Sequence, residues 1–208
     1  MLITSPDVRG RIEVAPSAAL VERLHEQEPA AGRELYDRCA RQVNGVVWRI
    51  LGADAEHDDV VQQVFANVFR SLGQLRDPER LGAWVTGVAV RTARTELRRR
   101  RVRRIVRLDV DATERAPAVD DADSWHLVSR GREILGRMDA DLQIAFVLRF
   151  VEGRSLVEVA ELCGCSLATV KRRIRRARAR FEAHARRDPQ LMDRFPAHRE
   201  GEGHDDQG

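Results

Sequence analysis

The chain has 208 residues, and its 36 Lys and Arg against 33 Asp and Glu leave a net charge of only +3. That length suits one or two small domains, and 43% apolar residues with only 5% aromatic favours packed helices over a β-sandwich. No apolar run is long enough to cross a membrane, the first residues lack a signal peptide's basic start and apolar core, and three cysteines without framework spacing argue against a disulfide-stapled fold. The reading is a cytoplasmic protein.

In chain order, residues 17–27 fit a short helix with Leu20, Val21 and Leu24 on one side. Residues 33–52 repeat apolar side chains at helical spacing (Leu35, Cys39, Val43, Val46, Val47, Ile50, Leu51), and Gly52 reads as a stop. Residues 53–57 are a turn or the capped start of the next helix. Residues 58–72 resume with Val60, Val61, Val64, Phe65, Val68 and Phe69. After a break at 73–78, residues 79–104 form a third long helix with Leu81, Trp84, Val85, Val88, Ala89, Thr92, Ala93 and Leu97 inward. Three such helices can bury a common core.

The end of the third helix is dense in arginine: Arg91, Arg94, Arg98, Arg99, Arg100, Arg101, Arg103 and Arg104. Single-signed charge on a helix fits a surface that tracks phosphate, against the blander reading of a solvated face. The sign then reverses, with Asp109, Asp111, Glu114, Asp120, Asp121 and Asp123 around Pro117, as in a flexible acidic linker. A second unit follows, with one short helix around Ile134, Leu135 and Met138 and another over 142–151.

Residues 155–181, SLVEVAELCGCSLATVKRRIRRARARF, are the most specific stretch. Ser155 and Ser166 are N-cap residues before two helical patterns, and Gly164 supplies the left-handed turn between them. Leu167, Val170, Ile174, Ala177 and Phe181 make one apolar stripe. Ala168, Thr169, Arg172, Arg175 and Arg176 point away from it. This is a helix-turn-helix whose second helix suits a DNA major groove. Cys163 and Cys165 occupy positions that want small apolar side chains, so packing is favoured over a redox sensor or half a metal site. No metal or cofactor is expected. Asp58, Asp59 and Asp77 could serve a DNA-cutting enzyme as metal ligands, but adjacent aspartates diverge on a helix and no nucleophile context accompanies them, so the protein is read as not an enzyme.

Together the motifs resemble the extracytoplasmic-function (ECF) group of the sigma-70 family, bacterial transcription initiation factors, over about 33–181. Residues 58–65, DDVVQQVF, are similar to the family's D-L-V-Q-E-x-F stretch, and residues 81–85 with Val88, Ala89 and the arginine run are similar to its A-W-L…I-A-R-N…R-R-R. Residues 138–153, MDADLQIAFVLRFVEG, resemble L-P-x-x-x-R-x-V-x-x-L-R-Y-x-E-G, and residues 169–178 resemble T-V-K-x-R-x-x-R-A-R. Departures stand at Val90-Arg91 for Arg-Asn, at Gly82 and Gly87 for larger residues, at Met138-Asp139 for Leu-Pro and at Ala168 for Gly.

The resemblance implies an all-α protein of two helical domains, the second a helix-turn-helix, joined by the linker. The expected boundaries are 1–29 for an N-terminal extension, 30–107 for a region 2-like domain, 108–128 for the linker, 129–187 for a region 4-like domain and 188–208 for a disordered tail. It implies a sigma factor with core RNA polymerase, double-stranded promoter DNA and melted −10 DNA as partners, and an anti-sigma factor as regulator. Asp58, Asp59, Gln62, Gln63 and Phe65 are the implied polymerase contacts. Arg91, Arg94, Arg98, Arg99, Arg100 and Arg101 are implied at the −10 element. Ser166, Ala168, Thr169, Lys171, Arg172, Arg173, Arg175 and Arg176 are implied at the −35 element. The alternative is a stand-alone helix-turn-helix regulator, which leaves residues 59–65 and the Trp84 helix without a role.

Overall fold

The computed structural model describes residues 18–52, 56–106, 122–186 and 191, with no side chains described at 104–106 and 122–127. Among the described residues the secondary structure is entirely helical. Helix α1 (Ala18–His25) buries Leu20, Val21 and Leu24 against α2 (Pro29–Leu51). The N-terminal extension thus contributes to the core. Helix α2 starts earlier than its apolar pattern does, because Pro29 sits at its first turn, where a missing N–H costs nothing and a fixed φ helps. It ends at Gly52, whose φ of 97° is open to glycine and whose N–H donates to Trp48 O at 2.8 Å.

Helix α3 (His57–Ser71) carries Asp58 and Asp59 in its first turn, where the helix dipole favours them. Two 3₁₀ turns, Leu72–Gln74 and Pro78–Arg80, fill the break before α4 (Leu81–Val106). The second turn is capped by Asp77, whose carboxylate accepts the Glu79 N–H at 3.0 Å. Helix α4 packs on both α2 and α3. Leu35, Val43, Val64, Val68, Val85 and Ala89 are fully buried between them, and each larger one contributes about 1.5–3 kcal/mol. Two residues expected inside lie elsewhere: Trp84 is only partly buried and Phe69 is exposed, as is the neighbouring aromatic Tyr36 of α2.

The second unit contains α5 (Ala122–Gly136), α6 (Ala140–Phe146), a π-helical continuation (Val147–Val151), α7 (Leu156–Cys163) and α8 (Leu167–Ala185). Helix α5 therefore begins within the stretch read as linker; residues 107–121 lie outside the described residues, as do 1–17 and most of the tail. The tail does supply one core side chain: Leu191 is 1% exposed, and a Cβ on Gly131 would lie 3.9 Å from it.

The helix-turn-helix forms as its caps dictate. Ser155 and Glu158 make a reciprocal capping box, Gly164 takes φ 61° and ψ 44°, and Ser166 Oγ accepts the Thr169 N–H. Val170, Ala177 and Phe181 are buried. Phe181 stacks on Phe146 with ring centroids 4.7 Å apart. Leu167, the first residue of the expected stripe, is exposed.

The two units meet along α4, which lies against α6 and α7. A second contact closes the C-terminal end of α2, where backbone carbonyls lack helical partners. Arg132 donates to Trp48 O at 2.7 Å and Gln143 donates to Ile50 O at 2.8 Å. The Arg132 guanidinium lies 4.5 Å over the Trp48 ring. Arg49 pairs with the buried carboxylate of Glu152. A Cβ at Gly52 would stand 2.7 Å from Arg132, so the close approach needs glycine there.

Candidate nucleic-acid interface

Helix α8 turns one face outward. At 100° per residue, Ala168, Lys171, Arg172, Arg175 and Arg176 fall within one arc opposite the buried stripe, and all five are exposed. Among the described residues none of the four cations makes an ion pair. Ser166 is spent as the cap, and its hydroxyl lies 3.0 Å from that of Thr169, which is half-buried at the edge of the face. Arg173 is not on this face. It turns inward, donating to Cys165 Sγ at 3.4 Å and pairing with Asp141 at 3.1 Å.

Helix α4 makes a second basic surface, but only part of the arginine run shares it. Arg91, Arg94, Arg98 and Arg101 fall on one stripe at helical spacing, Arg99 stands beside it, and Arg100 is on the opposite side. Arg100 pairs with Glu96 at 3.1 Å and Glu56 at 3.7 Å, and Arg103 pairs with the same two carboxylates. Those arginines brace α4 against the start of α3. Arg91 and Trp84 line an open cleft of about 440 Å³ with Arg76, Arg80 and Glu161.

The stripe on α4 faces α6. Asp141 pairs with Arg94 at 3.2 Å and with Arg98 at 3.2 Å. The Arg94 contact is a charge pair without hydrogen-bond alignment, since Arg94 Nε and Asp141 Oδ1 are both buried without a hydrogen-bond partner. A second nitrogen of Arg94 donates to Cys163 O at 2.9 Å, in the turn of the helix-turn-helix. Asp139 pairs with Arg101, and at 3.5 Å with Arg180. Asp139 is also the position where the chain carries Met-Asp in place of the resembled Leu-Pro. Sequence reasoning assigned no role to either aspartate. Their partners lie 32–47 positions away in sequence in all five pairs, beyond any periodic signal.

Helix α3 offers Asp58, Asp59, Gln62 and Gln63 to solvent. Gln63 donates to Asn67, which in turn donates to Thr92 of α4, so this face is tied to the helix beneath. Phe65 does not join it. It is buried at 5% exposure, 4.6 Å from the Tyr36 ring, as core rather than contact surface. The exposed aromatic on this helix is Phe69, one turn later, which periodicity alone does not distinguish from Phe65.

Two of the three thiols, Cys39 and Cys163, are buried. Burial pushes the Cys39 thiol up to about 11, and burial likewise raises that of Cys163 against the opposing pull of Arg94. Among the described residues no three His, Cys, Asp or Glu side chains gather closely enough to hold a metal ion, and no helix is long and apolar enough to cross a membrane.

Residues 35–103 match the family model for sigma-70 region 2, and residues 132–181 match that for sigma-70 region 4. A helical unit followed by a helix-turn-helix unit, matched in that order, defines a transcription initiation factor. The chain is 30% identical over 171 residues to the ECF RNA polymerase sigma-E factor of Escherichia coli (strain K12), covering 76% of this chain and 88% of that protein. It is 29% identical over 175 residues to the ECF RNA polymerase sigma-E factor of Haemophilus influenzae, covering 79% and 92%. Among solved structures, CnrH in complex with the cytosolic domain of CnrY shares the fold, with a TM-score of 0.56 at 23% identity over 83% of this chain and 99% of that one. The chain belongs to the ECF group of the sigma-70 family, and it is a sigma factor that directs transcription initiation.

Proposed function

We infer that the two units, 30–107 and 129–187, divide the promoter between them. The outward face of α8 takes the −35 element: Arg172 and Arg176 reach base edges or flanking phosphates, Ala168 and Thr169 approach most closely near the helix start, and Lys171 and Arg175 hold the backbone. The α4 stripe, Arg91, Arg94, Arg98 and Arg101 with Arg99 beside it, takes the −10 element, duplex and melted. Asp58, Asp59, Gln62 and Gln63 dock on core RNA polymerase, with Phe69 as the exposed aromatic next to them. The chemistry belongs to the polymerase, in the cytoplasm, and an anti-sigma factor is the regulator this family membership suggests.

The observation that carries the reading is the α8 face: a capped recognition helix with four cations that no carboxylate of the described chain engages. Run-off transcription with core polymerase on genomic fragments tests it. Discrete transcripts that depend on this chain and weaken with Arg172→Ala support it; an unchanged transcript set with and without the chain sinks it.

A further inference from the structure

The turn of the helix-turn-helix carries two thiols that the DNA reading leaves unused. Cys163 is the last residue of α7 and is 3% exposed. Cys165, two residues on, is only half-buried and directly precedes the Ser166 cap of α8. Packing accounts for the first thiol and not for the second. Between them Gly164 holds φ 61° and ψ 44°. Those angles mirror a right-handed helical residue, so the two flanking Cα atoms stand about 5.4 Å apart. Bridged cysteines span roughly 4.4–6.8 Å between Cα atoms. The left-handed glycine that makes the turn therefore also sets the two cysteines at bridging distance. Arg173 Nη1 lies 3.4 Å from Cys165 Sγ, and burial raises the Cys163 thiol against the pull of Arg94 and Arg173.

We propose that Cys163 and Cys165 form a dithiol modification site, which peroxide closes to a disulfide across Gly164 and so takes α8 out of its DNA-binding position; this rests on the reading of α8 as the −35 helix. Cys165 reacts first because it is the accessible thiol, and Cys163 is the resolving one. The Cys165 thiolate attacks one peroxide oxygen and the O–O bond breaks. The other oxygen leaves as hydroxide and takes a proton to become water, with a sulfenic acid left at Cys165. The Cys163 sulfur then attacks the Cys165 sulfur, the S–O bond breaks, and the hydroxyl leaves with the Cys163 proton as a second water. Two thiols lose two electrons, and one peroxide becomes two waters. Closing the bridge draws the Cys163 side chain out of the core and the Cys165 sulfur off Arg173. The turn is held by Gly164 N donating to Glu161 O at 3.1 Å and Cys165 N donating to Ala160 O at 3.0 Å. Those bonds and the adjoining Ser166 cap are lost first, and α8 loses its seat. A bridge that distorts its surroundings is readily reduced, so a low-molecular-weight thiol reopens it.

The test treats the full chain with a small excess of hydrogen peroxide, removes the excess with catalase and alkylates the remaining thiols. Trypsin cuts after Arg154 and Lys171, so a single peptide, 155–171, holds both cysteines. In the oxidised chain that peptide escapes alkylation and is lighter by about 2 Da, the two hydrogens of a closed bridge. Fluorescence anisotropy with a labelled mixed-sequence duplex of about 30 base pairs shows binding at least about fivefold weaker, since the competent fraction falls; dithiothreitol restores it. Cys165→Ser, folded by circular dichroism, binds as the reduced chain does and no longer responds to peroxide. Cys163→Ala behaves alike, and Cys39→Ser, at a thiol buried in the first unit, responds in full. A peptide 155–171 alkylated at both sulfurs overturns the proposal, as does sulfinic acid at Cys165 beside an alkylated Cys163. So does a closed bridge with unchanged binding, or a Cys165→Ser chain that loses binding as the wild type does. If the reduced chain does not bind the duplex even at low salt, the reading of α8 as a DNA helix fails, and the proposal falls with it whatever the peptide mass.

Discussion

Helix α8 turns Lys171, Arg172, Arg175 and Arg176 to solvent, whereas α4 turns Arg94, Arg98 and Arg101 onto two carboxylates of α6. The two helices have the same dominant residue type and similar spacing. What separates them is what packs opposite. Beneath α8 lies the apolar wall of Val170, Ala177 and Phe181, which fixes the cations outward. Opposite α4 lies another unit of the same chain, with acids at matching height. Charge density along a helix therefore measures the potential for phosphate binding, and the tertiary partner decides whether it is available.

The largest expected effect comes from removing what turns α8 outward. Phe181→Ala takes away a buried ring stacked on Phe146 and should cost about 3–5 kcal/mol. Urea unfolding should show the loss in the α5–α8 unit while the α2–α4 core keeps its own transition. Next is a change that leaves both DNA surfaces intact. Asp59→Arg places repulsion on the α3 face and should weaken association with core polymerase by about 2 kcal/mol. Gel filtration with core enzyme reads it, and unchanged co-elution with unchanged duplex binding rejects the docking face.

Within α8, Arg172→Ala should cost about 1–3 kcal/mol on promoter DNA and relax preference at particular base pairs. Arg173→Ala, tied instead to Asp141 and Cys165, should leave base preference as it was; competition with scrambled −35 duplexes separates the two. The smallest effect contrasts neighbours on α4. Arg98→Ala should lower the salt slope of DNA binding by about 0.9, one phosphate's worth. Arg100→Ala should leave the slope unchanged, because its guanidinium is engaged by Glu96 and Glu56.

Much of the fold was legible because local rules agree with tertiary ones. The apolar periodicities of α2, α3 and α4 each point to one face, and Ser155, Gly164 and Ser166 mark the helix-turn-helix by backbone needs that only a few residue types meet. The sequence reading groups Arg100 with Arg98 at the −10 element, although helical geometry sets the two on different sides of α4. Two things were not legible. Phe65 and Phe69 both fit an apolar stripe at one-turn spacing, and only the position of α2 buries the first and leaves the second exposed. The hub at Asp139 and Asp141 depends on the docking of two units, and a pair of acids at a helix start looks the same whether it caps a dipole or engages arginines from α4 and α8.

The guanidinium resting on Trp48 has an optical consequence. Indole emission shifts to longer wavelength when water replaces a protein neighbour, and Arg132 is the neighbour that covers this ring from the other unit. With only three tryptophans in the chain, Trp48 can be isolated by replacing Trp84 and Trp125 with phenylalanine. Its colour then becomes an internal clock for separation of the units, readable in a stopped-flow instrument on mixing with polymerase or DNA, without any attached dye.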